Sequence, residues 1–309
     1  MTKSKRPKKK HVPTLPKVKE ISRNVHQIDF TFNDIREEKW VLLRSDVHHD
    51  SKHCDRAMEK RHLDQAIERN ALIIDNGDLY DAMQGRFDRR SSKDDLLPEY
   101  KKGDYLDALV SEAAKFYKPY AKNFAILGQG NHETAILKHH ETNITERLKE
   151  RLNIGLKDSE KCYMGGYGGW IKFVGSYHGG KESIMMHYFH GSGGGGPVTR
   201  GVIQTNRQAV YLPDAQICVT GHTHDQWIVP IERQRIKNTA MKLYKETQYH
   251  IKIAGYKEEY EDGYGGWHIE RGAPPKPKGA CWLKFTFYFE QENLERKRGM
   301  RVQPILVDF

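Results

Sequence analysis

Five times in this chain an apolar run of strand length stops at an Asp, Asn or His beside a glycine. Residues 40–45 run into Asp46-Val47-His48, and 71–74 into Asn76-Gly77-Asp78. Residues 124–127 run into Gly130-Asn131-His132-Glu133, 184–189 into His190-Gly191, and 215–220 into Gly221-His222-Thr223-His224. A polar side chain at the end of a buried strand is pushed out at the rim of a sheet, where open α/β folds bind ligands. In Asp46/His48 and His222/His224 the partners are two apart, so an extended strand would turn both to one face. A mixed His/Asp/Asn set without Cys suits Mn²⁺, Fe or Zn²⁺ better than an all-oxygen Mg²⁺ or Ca²⁺ cage. The five stretches are read together as one two-metal site, with Asp78 able to offer an oxygen to each cation.

The remaining sequence bounds the setting. A chain of 309 residues buries a full core as one large domain or one domain with an appendage. Mean hydropathy is −0.79, and no apolar run approaches the roughly 18 residues of a spanning helix. The N-terminus lacks the apolar stretch of a secretory signal. Cys54, Cys162, Cys218 and Cys281 form no CxxC pair, which suits free thiols in a reducing cytoplasm. The net charge of +10 is unevenly placed: residues 1–20 hold eight Lys/Arg against Glu20, a balance of +7, leaving +3 for the rest. A basic arm over a near-neutral body predicts phosphate-backbone contact through the arm, against the plainer reading of a solvated tail.

Residues 1–22 read as a disordered basic arm, and 26–33 as an edge strand. Helices are predicted over 55–70, with Met58, Leu63, Ala66 and Ile67 on one face, and over 104–117 and 143–153. Residues 82–103 read as a surface excursion. Beyond 170 the pattern becomes strands, at 170–175, 184–190, 215–220, 226–231, 248–254, 281–289 and 302–308, separated by glycine loops. The expected fold class is α/β, a two-sheet sandwich with helices outside. The expected divisions are an arm over 1–22, a core over 23–232 and a β-rich extension over 233–309 that completes or caps the core. Gly-Tyr-Gly-Gly-Trp occurs at 166–170 and again at 263–267 and is read as two tight turns anchored by tryptophan. The glycine run at 191–196 lacks the Lys-Ser/Thr ending of a P-loop and reads as a rim loop. His49 and His53 read as surface loop residues, with the mouth of the site as the alternative, and Arg200 and Arg207 as solvent-facing, with contact to a substrate phosphate as the alternative.

The order DxH, GD, GNHE, H, GHTH, spanning about residues 40–225, resembles the calcineurin-like metallophosphoesterases. That resemblance implies a four-layer α/β/β/α sandwich of two mixed β-sheets. It implies two divalent metal ions, Mn²⁺ first with Fe or Zn²⁺ as alternatives. Asp46, His48 and His224 would bind one metal, Asp78 would bridge, and Asn131, His190 and His222 would complete the other. His132 would be the catalytic acid, and a hydroxide bridging the metals the nucleophile. His190 is chosen over His187 because it ends its strand at a glycine. Asp81 and Glu133 are candidates to orient the histidines, or ordinary surface acids.

The resemblance implies a phosphoester as substrate. The basic arm and the aromatics interleaved in 244–288 favour a phosphodiesterase or nuclease acting on DNA or RNA. A phosphomonoesterase on a nucleotide, small molecule or phosphoprotein is the alternative, and a catalytically silent metal-binding scaffold the reading from another class. No membrane partner and no organic cofactor are expected.

Overall fold

The computed structural model describes residues 14–82, 96–194, 196, 198–237, 239–258, 260, 269, 272, 274–292 and 295–307. Two mixed sheets face each other. One has seven strands in the order β1 (Lys17–Ser22), β2 (Val25–Thr31), β7 (Gly168–Tyr177), β8 (Gly180–Phe189), β9 (Ile217–Thr220), β11 (Lys242–Lys252) and β10 (Trp227–Lys237). The other has six, in the order β13 (Glu295–Val307), β12 (Ala280–Glu292), β3 (Glu38–Arg44), β4 (Leu72–Asp75), β5 (Phe124–Gly128) and β6 (Tyr163–Gly166).

Strand alternation builds two cores. Val41, Leu43, Leu72 and Ile74 meet Ile28, Phe30, Phe173 and Phe285 between the sheets. Leu42 and Ile73, from the same strands, turn the other way. They pack with residues of α1 (Arg56–Glu68), α2 (Tyr105–Tyr117) and α4 (Ile144–Asn153), among them Leu63, Leu109 and Leu148. β4 is buried on both faces, which is why its sequence is apolar without alternation. Each such buried Val, Leu or Ile contributes roughly 1.5–3 kcal/mol. Two helices begin where side chains cap free N–H groups: Asp55 accepts from Met58 N at 2.9 Å, and Asn143 from Glu146 N at 3.1 Å. α5 (Ile203–Tyr211) lies outside the seven-stranded sheet, near Leu212, Ala215 and Cys218. The layers are therefore helix, sheet, sheet, helix.

Several expectations change. β1 falls inside the stretch read as a disordered arm, because Val18 is buried when Lys17–Ser22 pairs antiparallel with β2. β2 is then not an edge strand: β1 covers one side and β7 the other. No boundary falls at 232, since β10 runs through it in register with β11. β12 sits inside the six-stranded sheet, with Trp282 opposite Leu42, so of the two roles expected for the extension this strand completes the core and does not cap it. Within the expected surface excursion, Leu96 and Tyr100 are buried, while 83–95 lie outside the described residues. α3 (Asn131–His140) and α5 were not anticipated. The first Gly-Tyr-Gly-Gly-Trp joins β6 to β7, and the second lies outside the described residues. All four cysteines are buried free thiols. No helix among the described residues is long and apolar enough to cross a membrane.

Candidate metal centre

β3, β4 and β5 run parallel, so the residues that follow them emerge at the same edge. β8 and β9, parallel in the other sheet, deliver theirs to the same place. The backbone there is unusual. Asp46, His48, Asp78, His222 and His224 all have φ between 50° and 72°, a left-handed conformation that costs L-residues free energy. A cluster of strained backbone on polar residues marks a site where geometry has been favoured over local stability.

Three sets of side chains bring donor atoms within 4.8 Å of one another: Asp46, His48 and His224; His48, Asp78 and His132; and Asp78, His190 and His222. Asp78 and His48 each belong to two sets, so the sets form one continuous cluster. His190 Nε2 is 3.0 Å from Asp78 Oδ2, and His224 Nε2 is 3.5 Å from Asp46 Oδ1. Donors bonded at ~2.1 Å to a common cation lie ~3.0 Å apart at right angles and ~3.4 Å apart at tetrahedral angles. These buried clusters could hold metal ions.

The donors are also left free to do so. His190 Nδ1 donates to the Asn76 carbonyl at 2.9 Å, which turns Nε2 inward. His48 Nδ1 faces Asp81 Oδ1 at 2.9 Å, and its Nε2 is buried with no hydrogen-bond partner. Asn131, at the start of α3, has a buried Oδ1 that also lacks one. Buried acceptors without partners are costly, and a cation would satisfy them.

The field is strongly negative. Burial alone would lower His190, yet Asp78 and Asp46 draw it up to about 10. Burial works against the charged form of Asp78, but His132 and His190 hold its carboxyl far below the usual range. His132 is likewise raised against burial by Asp78 and Asp81. Its Nδ1 makes a short contact with the Asp81 carbonyl, and its Nε2 is 3.7 Å from Asp78 Oδ2.

Two glycines make the centre compact. A Cβ on Gly130 would sit 2.5 Å from Asp78 Cγ and 2.7 Å from its backbone N. One on Gly221 would sit 2.5 Å from Asp46 Oδ2 and collide with Ser45 Oγ. Around them, Glu133 accepts from Asp78 N at 3.1 Å, Tyr80 N at 3.0 Å and Gly130 N at 2.8 Å. Glu133 therefore ties backbone and does not orient a histidine, while Asp81 does face His48.

The two-apart spacing misleads at the last motif. His222 goes with Asp78 and His190, and His224 goes with Asp46 and His48. Both residues are left-handed, so strand alternation does not apply to them. His187 lies on the outer face against Trp170, with ring centroids 5.0 Å apart, away from the cluster. His49 is fully buried, not on the surface, with Nδ1 2.8 Å from Glu59 Oε2. Arg200 and Arg207 are exposed.

Sequence reasoning missed two supports. Arg44, entirely buried, binds Glu59 at 3.0 Å and Asp75 at 2.8 Å, and Asp75 accepts from Gly77 N at 3.1 Å. Asp50, also buried, accepts from Asp81 N at 2.6 Å and from the Tyr105 hydroxyl at 2.6 Å. A charged residue inside an apolar run, as Arg44 is, was the available signal.

No family model matches the chain, and no curated protein matches its sequence. Solved structures align over most of its length but loosely. A conserved uncharacterized protein of Streptococcus pneumoniae, described as a predicted phosphoesterase, is 10% identical, covering 86% of this chain and 99% of that one, with a TM-score of 0.30. A Thermotoga maritima protein is 12% identical over 86% and 99%, with a TM-score of 0.29. GAP50 of Plasmodium, described as the anchor in the inner membrane complex, is 10% identical over 88% and 90%, with a TM-score of 0.35. With overlaps this loose, function has to be read from the ligand geometry.

Proposed function

We propose that this chain is a dinuclear metal-dependent phosphoesterase. The observation that carries the reading is the continuous cluster of three donor sets sharing Asp78 and His48, assembled from five strand ends. Asp46, His48 and His224 would hold one cation and Asn131, His190 and His222 the other, with Asp78 placed to serve both. Mn²⁺ suits this donor set, with Fe or Zn²⁺ as alternatives. A pair of divalent cations, when bound, supplies Lewis-acid polarisation of the phosphate oxygens and a water acidified toward pKa ~7.

The chain's own residues do the rest. The Asp81 carbonyl can only accept, so it keeps a proton on His132 Nδ1. Asp78 and Asp81 favour the imidazolium, in which Nε2 carries the second proton and can give it to the leaving oxygen, the ring returning to its neutral Nδ1–H form. Glu133 holds the turn that presents Asp78 through three backbone N–H groups. The basic residues of 1–13 favour a phosphodiester of DNA or RNA as substrate. The four buried thiols suit the reducing cytoplasm. A phosphomonoester is the second reading, favoured by Lys257, whose Nζ lies 3.4 Å from Asp81 Oδ1 and adds a cation beside the cluster.

Turnover of bis-p-nitrophenyl phosphate and p-nitrophenyl phosphate with Mn²⁺ separates the two. Faster diester turnover, lost in Asp78→Ala together with bound metal, supports the diesterase. His132→Ala should keep its metal and lose rate, most with poor leaving groups. Equal metal content and equal rate in Asp78→Ala would end the proposal.

A further inference from the structure

The seven-stranded sheet is covered unevenly on its outer face. The α5 end shields the β9 side, where Trp170 packs against Leu212, Ala215 and Cys218. The β1, β2 and β7 side is open. Lys17 and Lys19 of β1, Lys172 of β7 and Lys181 of β8 are all exposed there. Register puts Lys19 opposite Gln27 and Gln27 opposite Lys172, so two lysines stand two strands apart, about 10 Å. Lys17, one step further along β1, faces Asp29. A cleft of about 1030 Å³ opens at that end, lined by Lys17, Lys19, Asp29 and Lys181 among others.

Charge on this face is not self-compensated. Lys19 pairs with Asp29 at 2.5 Å. Among the described residues, Lys17, Lys172 and Lys181 make no ion pair. The chain enters the face at Thr14, directly after 1–13, a stretch with six Lys/Arg and no acid. At the other end of the face stands Trp170, opposite His187 on β8. β7 starts two residues earlier, where Gly168 pairs with Phe189, the neighbour of His190. Exposed lysines thus run from β1 across the open sheet to the β7 strand that carries Trp170, three residues along the β7/β8 register from His190.

We infer that this open sheet face binds single-stranded nucleic acid, with phosphates on Lys17, Lys172 and Lys181 and a base on Trp170. Lysines spaced over a flat sheet track a flexible backbone, and an aromatic accepts any base on its π-face. A duplex keeps its bases stacked inside, out of reach of Trp170. The inference deepens the diesterase reading by naming its substrate class. The two can fail separately, because binding is read without metal.

The test uses the full chain, EDTA and fluorescence anisotropy with a fluorescein-labelled 30-nucleotide single strand, its duplex, and phosphatidylserine vesicles as competitor. Wild type should prefer the single strand. Lys172→Ala/Lys181→Ala should weaken binding about tenfold and make the slope of log K against log salt shallower by about 1.4, at ~0.7 per phosphate contact. Trp170→Leu should weaken single-strand binding with the slope unchanged, and Asp78→Ala should bind as wild type. Unchanged affinity in the exposed double-lysine variant would overturn the inference, as would equal preference for duplex or capture by vesicles in place of oligonucleotide. Oligonucleotide binding as described, with no metal-dependent hydrolysis by wild type, would keep this surface and discard the diesterase.

Discussion

Replacing Gly130 by alanine should disable the centre through a single methyl group. The added Cβ would lie 2.5 Å from Asp78 Cγ, where two carbons pack no closer than about 3.5 Å. The carboxylate or the start of α3 must therefore move by about 1 Å. Metal–ligand distances tolerate ~0.2 Å, and a 1 Å misplacement of reacting groups costs on the order of 100-fold in rate. Asp78 belongs to two donor sets, so both are disturbed together. The expected result is a loss of about 100-fold in kcat/KM, about 2.7 kcal/mol at 1.36 kcal/mol per decade, with less than two equivalents of metal retained. Metal content by mass spectrometry and diester hydrolysis, on protein shown to be folded by circular dichroism, measure it. A Gly130→Ala protein holding two metals and working within threefold of wild type would refute the claim that close packing against Asp78 sets the centre.

Other consequences follow from the buried polar groups. Arg44→Met removes the buried cation that Glu59 and Asp75 share, leaving Asp75 the Gly77 N–H and Glu59 its His49 and Tyr117 contacts, and should cost about 3–5 kcal/mol in denaturant titrations. His26 is fully buried with neither ring nitrogen hydrogen-bonded, so His26→Leu should stabilise the protein by about 1–3 kcal/mol, read as a higher Tm. Burial lowers His26, His62 and His250 to about 4, from 6.5 when unfolded. Between these values the unfolded chain binds more protons, so stability should fall as pH drops from about 6.5 to 4, and this contribution should flatten below. A Tm series across that range should show a shallower slope for His26→Leu than for wild type.

The candidate site was legible in sequence because each of its parts is local. A run of four apolar residues, a glycine and a side chain able to bind metal all lie within one short stretch, as in 71–78 and 124–132. The α/β class followed from the same runs. What sequence could not supply was anything set by contacts between distant segments. β1 reads as part of a charged tail until Val18 is placed over Ile28. β12 could complete the core or cap it until Trp282 lies against Leu42, 240 residues earlier.

The division between the two histidines of the last motif shows the same limit within three residues. Sequence establishes that His222 and His224 stand at a strand end beside glycine. The structure sends one to Asp78 and the other to Asp46, a split that alternation along a strand does not give, because the backbone there turns left-handed. Composition and local pattern thus determined which residues could carry the proposed chemistry. The packing of two sheets against each other decided which atoms meet, since only that packing brings the ends of β3, β4 and β5 to those of β8 and β9.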